Sequence, residues 1–257
     1  MNVGVCLKST PGTDARIIIN PDANGVDTSS VRWIISPFDE FALEAGAQTK
    51  EALGGELVVL SVGGETKNIR EALAKGGDRA VRVEDAALDN TDALGIAKAL
   101  AAVIKAQEIE LAFCGKVAID EQSAQVPAMV AELLGWPHIS VVTEFSCDGS
   151  TITASRAVGG GIVEVVTCQT PAIITTERGL NSPRYAKLPQ IAKAKRKPLD
   201  DLSLADIGLS ADDVAANVHL NNFTPPAERA SGQMISGEPA EAAKELIRLL
   251  REDAKVI

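Results

Sequence analysis

Residues 56–83 read ELVVLSVGGETKNIREALAKGGDRAVRV, two apolar runs on either side of a mostly polar segment. The run at 56–62 predicts a buried strand, and after a Gly-Gly turn the spacing at 66–74 predicts a helix. A second Gly-Gly pair ends that helix, and a further strand is predicted at 80–83. Because a strand–helix–strand unit of this size places its strands parallel with a right-handed crossover, the stretch predicts an α/β fold.

The same alternation continues on both sides of this unit. Further strands are predicted at 3–7 and 109–114, and further helices at 38–53, 91–105 and 122–134. Alternating strands and helices favour a parallel sheet that is covered on both faces. We therefore predict a doubly wound, mostly parallel sheet of the Rossmann-like kind.

A different pattern begins after Pro137. Short apolar segments separated by turns occur at 139–145, 151–156, 162–167 and 172–175. Short strands joined by tight turns are typical of antiparallel hairpins, so they predict an antiparallel addition to the sheet.

The last part of the chain is less regular. Residues 198–237 are polar and include two adjacent prolines, which predicts an extended arm, and 238–253 have the apolar spacing of an amphipathic helix. We predict one nucleotide-binding domain at 1–197 and a C-terminal arm with a docking helix at 198–257.

Composition excludes several classes of function. The net charge of −10 argues against a nucleic-acid partner, because phosphate backbones need a cationic surface. No apolar run approaches the ~18 residues of a membrane span, and the first residues lack the layout of a signal peptide, so we expect a cytoplasmic protein without membrane insertion. The four cysteines form no C-x-x-C pair and only two histidines are present, so we expect no metal site and no catalytic residue.

The natural ligand crevice of such a sheet lies at the carboxyl ends of its strands. Three loops are predicted there, at 8–13, 63–66 and 115–125, and the last opens a helix in the sequence CGKVAIDEQSAQVPAM. The first amides of that helix, from Ser123 to Val126, would bind a phosphate, and Asp120 would meet a ribose or cap the helix. A plain capped helix start is the alternative. Neither a G-x-G-x-x-G nor a Walker loop is present, so a nucleotide site here is of a non-standard kind.

A second distinctive segment, TTERGLNSPRYAKLPQIAKAKRK, spans residues 175–197. Between Arg178 and Leu199 it carries seven basic residues and no acidic one. Leu180, Arg184 and Tyr185 have the pattern of side chains held outward on an irregular loop, as at a protein interface. A solvated loop with Leu180 folded back onto the domain is the alternative.

Four stretches together resemble the beta subunit of electron transfer flavoproteins. The stretch LNSPRYAKLPQIAKAKRK, residues 180–197, is similar to that family's signature. It overlaps the family's partner-recognition loop, which would be residues 176–190 here. ISPFDEFALEAG resembles the family's start of the first long helix. GKVAIDEQSAQVPAMVAELLGWP and VGGGIVEVVTCQTPAIITT continue the similarity in the family's order, over most of residues 1–197.

The resemblance implies a heterodimer whose alpha subunit carries a redox FAD, while this chain holds a structural AMP and performs no bond chemistry. By position, the nucleotide contacts would be Cys6, Ser36, Pro37, Phe38, Asp39, Val62, Gly115, Lys116, Asp120, Ser123, Ala124, Gln125 and Val126. Phe38 and Thr13 match positions that approach the partner's flavin.

The resemblance also implies partners. Leu180, Asn181, Pro183, Arg184 and Tyr185 would contact an acyl-CoA-dehydrogenase-type donor, which implies a role in fatty acid beta-oxidation. Electrons would continue to a quinone oxidoreductase. The arm after residue 198 would wrap around the alpha subunit.

Two departures from the family's pattern concern the nucleotide. Ser36 and Ala124 stand where many or some members have asparagine. A bifurcating branch carries a second FAD in this subunit and tends to read N-P-D-D where this chain has Ser36-Pro37-Phe38-Asp39. We favour the non-bifurcating type. The alternatives are the bifurcating type and a free-standing adenine-nucleotide-binding module.

Overall fold

The computed structural model describes residues 1–227 and 231–257. Its strands are β1 (Asn2–Cys6), β2 (Ser9–Pro11), β3 (Ile18–Ile19), β4 (Val26–Asp27), β5 (Trp33–Ile35), β6 (Glu56–Val62), β7 (Arg79–Val83), β8 (Leu111–Gly115), β9 (His138–Cys147), β10 (Thr151–Gly159), β11 (Ile162–Gln169), β12 (Ala172–Thr176) and β13 (Leu199–Leu202). Its helices are α1 (Pro37–Leu53), α2 (Thr66–Ala74), α3 (Ala93–Ala106), α4 (Val126–Leu134), α5 (Leu188–Ala194) and α6 (Pro239–Arg248), with short 3₁₀ turns at Ala86–Leu88, Ala205–Ile207 and Asp212–Val214 and a π-helical turn at Leu249–Asp253.

Nine strands form one sheet in the order β11-β10-β9-β12-β8-β1-β6-β7-β13. The strands from β9 to β13 in this order are parallel neighbours, and β10 and β11 extend the sheet in antiparallel fashion. The central strands are almost entirely buried, as expected where helices cover both faces of a parallel sheet. The predicted doubly wound α/β fold with an antiparallel addition is confirmed.

Helices cover the two faces of the sheet separately. Side chains of β1 alternate between two cores: Val3 and Val5 pack with Leu43 of α1, whereas Cys6 enters the opposite core with Ile104 of α3. α2 and α5 share the face of α1, and α4 shares that of α3. Strand β1 lies in the interior of the sheet, between β8 and β6.

The assignment of residues 172–175 to the antiparallel addition was wrong. β12 lies inside the sheet and pairs parallel with both β8 and β9. All five of its residues are buried. A strand that is apolar on both faces needs helices above and below it, and only the parallel part of the sheet is covered in this way. β12 therefore lies there, beside β8.

The chain is also more regular after residue 177 than predicted. Helix α5 was not foreseen; it begins after Lys187, whose backbone N–H donates to the Gln190 side chain at 2.7 Å. β13 then adds an edge strand to β7, and Leu204 and Val214 are buried in the core beyond it.

The predicted C-terminal helix is present as α6 with its π-helical extension, and no residue of either segment is buried. The part of the predicted arm at 228–230 lies outside the described residues. Division of the chain at residues 197 and 198 stays a prediction.

Candidate functional site

The crevice lies where β1 and β8 end side by side at the carboxyl edge of the sheet. The loop after β1 pairs with β5 through Ser9 and Ile35, which brings Ser36 and the start of α1 to the same edge. Ser36 donates its backbone N–H to the carbonyl of Lys8 at 2.9 Å. The predicted loops at 8–13 and 115–125 therefore meet the first turn of α1 at one place.

Asp39 holds this meeting point together. Its carboxylate accepts the backbone N–H of Lys8 at 2.7 Å and that of Gly115 at 3.0 Å. The side chain is 7% exposed. Burial raises the pKa of Asp39 to about 7, against the effect of the two backbone hydrogen bonds and the Lys8 ammonium. Asp39, predicted as a nucleotide contact, thus points inward and positions the two loops.

Gly115 is required by this packing. A Cβ atom at this position would lie 2.4 Å from the Asp39 carboxylate and 2.8 Å from Cβ of Phe38. Thr176 adds a further link, since its hydroxyl donates to the carbonyl of Phe38 at 3.1 Å. The ends of β8 and β12 are therefore both fixed to the first turn of α1.

The loop before α4 leaves several amides without partners. The helix predicted at 122–134 begins only at Val126, because Gln122 and Ala124 adopt left-handed φ values of 53° and 54°. Among the described residues, the backbone N–H groups of Ser123, Ala124 and Gln125 have no protein acceptor, and these residues are exposed. Free amides beside a helix N-terminus form an anion-binding surface. The predicted amides are present, but most belong to a loop.

Acidic and basic side chains flank these amides. Lys8 binds Asp120 at 3.1 Å and Glu121 at 2.8 Å, and these contacts raise the pKa of Lys8 although burial acts against them. Asp120 is therefore engaged by Lys8 and does not cap α4. On the other side of the loop Lys116 pairs with Glu177 and lies 4.9 Å above the ring of Phe38.

Two hydroxyls in this region are buried without a partner. Ser36 Oγ and Thr10 Oγ1 both belong to residues with no solvent exposure, and neither has a hydrogen-bond partner within the described part of the chain. An unpaired buried hydroxyl costs about 1–3 kcal/mol, which a bound polar ligand would recover. Thr10 was missed by the sequence analysis; its position in a predicted crevice loop was the only available signal.

The remaining predicted nucleotide contacts lie at or near this edge. Cys6 ends β1 and is buried, Pro37 opens α1, and Val62 ends β6 and is half-buried. Thr13 is exposed beyond β2.

The predicted partner loop folds partly back onto its own domain. Leu180 packs against the core and, with Asn181, lines a cavity of about 290 Å³ between α1 and β9. Asn181 donates to the Phe41 carbonyl at 2.9 Å, and Pro183 is half-buried. Of the two placements considered for Leu180, the structure therefore has the one folded back onto the domain. A contact between Leu180 and a partner stays a prediction.

Arg184 also points inward, contrary to the outward placement predicted for it. Its guanidinium binds Glu44 at 2.7 Å and Glu51 at 2.6 Å on α1, and its pKa is raised by these carboxylates. Glu44 is 5% exposed, so the pair ties the loop to a buried site. The exposed apolar surface of this region instead comes from Tyr185, 92% exposed, and Leu188, 83% exposed.

Two kinds of site are absent from residues 1–227 and 231–257. They contain no group of three or more histidine, cysteine, aspartate or glutamate side chains placed to hold a metal ion. They also contain no helix with the length and apolar character needed to cross a membrane.

Comparison with known proteins identifies the family. A family model described as "Electron transfer flavoprotein domain" matches residues 24–207. The electron transfer flavoprotein subunit beta of Bacillus subtilis (strain 168) is 42% identical, with 100% of both chains covered. Subunit beta of Methylophilus methylotrophus is 35% identical over 98% of both chains, and the mitochondrial subunit beta of Arabidopsis thaliana is 35% identical over 100% of both. The family model covers more than half of the chain and the alignments span nearly all of it, and the chain therefore belongs to the electron transfer flavoprotein beta-subunit family.

Proposed function

We propose that this chain binds a structural AMP in the crevice between β1 and β8 and works as a docking subunit beside an alpha subunit. The observation that supports this most is the row of free amides at Ser123, Ala124 and Gln125, at the carboxyl edge that also holds two unpaired buried hydroxyls. Amides and a helix N-terminus suit a phosphate, and buried hydroxyls suit the polar edge of a ribose or base. Asp39 and Gly115 position these groups.

In this proposal the chain is an electron-carrier subunit without bond chemistry of its own. FAD, held mainly by the alpha subunit, supplies the capacity to accept and release electrons. This chain contributes orientation: Phe38, with Lys116 above its ring, and Thr13 would lie towards the flavin. Electrons would pass from a dehydrogenase of the acyl-CoA type, as in fatty acid beta-oxidation, to a quinone oxidoreductase or similar acceptor. We also propose a cytoplasmic location.

The alpha subunit would cover the C-terminal arm. In α6, Leu246 and Ile247 are 46% and 48% exposed, and no residue of the helix is buried. An amphipathic helix whose apolar face is uncovered by its own chain gains stability when a partner buries that face.

The nucleotide proposal predicts the content of the purified heterodimer. Heat denaturation should release about one AMP for each FAD, measured by chromatography of the supernatant. Returning AMP to nucleotide-free protein should increase the free energy of unfolding by about 2.7 kcal/mol at 100 times its dissociation constant. Two FAD and no AMP would place the protein in the bifurcating branch. A stable, colourless single chain that hydrolyses ATP would instead favour the free-standing module.

The docking proposal predicts a kinetic defect. Leu180→Ala should lower kcat/KM for the dehydrogenase about tenfold, equivalent to about 1.4 kcal/mol, because Leu180 packs against the core and holds in place the loop that carries the exposed Tyr185 and Leu188. The flavin content should stay unchanged. Ile162→Ala removes a similar side chain that is 62% exposed on β11 and serves as the matched control. Equal kinetics for wild type and Leu180→Ala, with the control also unchanged, would contradict the proposed anchor.

A further inference from the structure

Cys6 and Cys114 form a pair of neighbouring thiols under the crevice. The register of β1 against β8 sets Val5 opposite Phe113, so the next residues, Cys6 and Cys114, also face each other. Both side chains enter the same core, on the face covered by α3 and α4, and they are 8% and 5% exposed. Two thiols therefore share one side of the sheet at adjacent strand ends.

The spacing of such a pair suits a covalent bond. Neighbouring strands lie about 4.8 Å apart, and the Cα atoms of a disulfide are about 4.4–6.8 Å apart. Cys147 and Cys168 differ, because β10 lies between them and Ile152 is opposite both. Their Cα atoms are thus two strand spacings, about 10 Å, apart, beyond the reach of a disulfide.

The surroundings also determine how fast the pair reacts. Contact with Cys6 and burial raise the pKa of the Cys114 thiol well above its ordinary value. Since the thiolate is the reactive form, oxidation at neutral pH should be slow and should accelerate as the pH rises. Burial of both side chains slows the approach of an oxidant further.

We propose that Cys6 and Cys114 form a reversible intrachain disulfide when the protein meets a peroxide, and that this bond and a nucleotide in the crevice oppose each other. One sulfur attacks the peroxide and breaks its O–O bond, which gives a sulfenic acid and one water. The second sulfur then displaces the hydroxyl as another water. Two S–H bonds are lost, one S–S bond forms, and two electrons pass from sulfur to the peroxide oxygens.

The opposition to nucleotide rests on the proposed AMP site, in which Cys6 is a contact. A nucleotide over the end of β1 would cover the thiol and hold the loops after β1 and β8 in place. The two effects are equal by thermodynamic linkage. If bound AMP lowers the equilibrium constant for forming the disulfide by some factor, the disulfide lowers the affinity for AMP by the same factor.

Peptide mapping tests the proposal. The heterodimer, first freed of bound nucleotide, is treated with hydrogen peroxide at pH 7 and pH 8.5, with AMP, with UMP as control nucleotide, or with neither. It is then alkylated and digested without reductant. We expect a linked Cys6–Cys114 peptide that forms faster at the higher pH, disappears with dithiothreitol and forms severalfold more slowly with AMP. Cys6→Ser should abolish it, whereas Cys147→Ser/Cys168→Ser should retain it.

Two results would overturn the proposal in different ways. Oxidation of Cys147 or Cys168 without any linked Cys6–Cys114 peptide would disprove the disulfide and leave the AMP site standing. A linked peptide that forms equally fast with and without AMP would disprove the opposition. AMP release from the same preparation then decides separately whether the nucleotide proposal holds.

Discussion

Replacing Glu44 by glutamine is expected to lower the free energy of unfolding by about 3 kcal/mol, because it leaves Arg184 without its buried counter-charge. The Glu44 carboxylate accepts the backbone N–H, Nε and Nη2 of Arg184 at 3.2, 2.7 and 3.0 Å, and the Gln48 amide at 2.8 Å. A glutamine has one acceptor oxygen in place of two and presents an NH₂ group to these donors. The change should therefore release the docking loop as well as destabilise the domain.

Glu51 provides the matched control for this prediction. It binds the same guanidinium at 2.6 Å, but its side chain is 55% exposed. Exposed ion pairs contribute about 0–1 kcal/mol, so Glu51→Gln should have a small effect. Urea unfolding at one salt concentration measures both variants, and Glu44→Gln/Arg184→Gln completes a double-mutant cycle. Equal losses for Glu44→Gln and Glu51→Gln would contradict the assigned role of the buried pair.

The parallel sheet could be predicted from the sequence because each strand–helix unit is bounded by its own turn residues. Apolar runs such as 56–62 and the glycine pairs after them are local features, and a right-handed crossover follows from them. The position of β12 was not predictable in the same way. Its five residues read as one more short strand after a turn, and only their complete burial, which is a property of the assembled sheet, distinguishes it from the hairpin β10–β11.

The candidate site was predicted less completely, since its key contacts join residues far apart in sequence. The loops at 8–13 and 115–125 were identified from their places after strands, and the free amides of one of them are present. The inward role of Asp39 depends on amides 31 and 76 positions away, and that of Arg184 on a carboxylate 140 positions away. The spacing of residues along the chain does not predict contacts between residues this far apart in sequence.

Asp39 should make the free energy of unfolding depend on pH near neutrality, and replacing it by asparagine should remove that dependence. Burial raises its pKa from the usual 3.8 to about 7. A carboxyl group whose pKa is higher in the folded state stabilises the fold fully below its unfolded pKa, and this contribution disappears as the pH rises through the folded value. A shift of this size corresponds to about 4 kcal/mol in total, at about 1.4 kcal/mol for each pKa unit. Wild type should therefore lose stability relative to Asp39→Asn as the pH increases from about 4 to about 8.

The measurement compares urea unfolding of wild type and Asp39→Asn at several pH values in this window. The lost acceptor in the asparagine variant gives a constant offset, so only the pH-dependent part reports the charge on Asp39. Asp148→Asn is the control: its carboxylate has a lowered pKa because Thr151 and Ser150 donate to it, so the stability that it contributes is lost only in acid. Its difference from wild type should stay flat above about pH 5. The prediction fails if the free energy of unfolding of wild type, relative to that of Asp39→Asn, stays constant or increases as the pH rises. That result would show that the amides of Lys8 and Gly115 keep Asp39 ionised throughout. The crevice would then be held together by a permanent charge, and no proton would be taken up there near neutral pH.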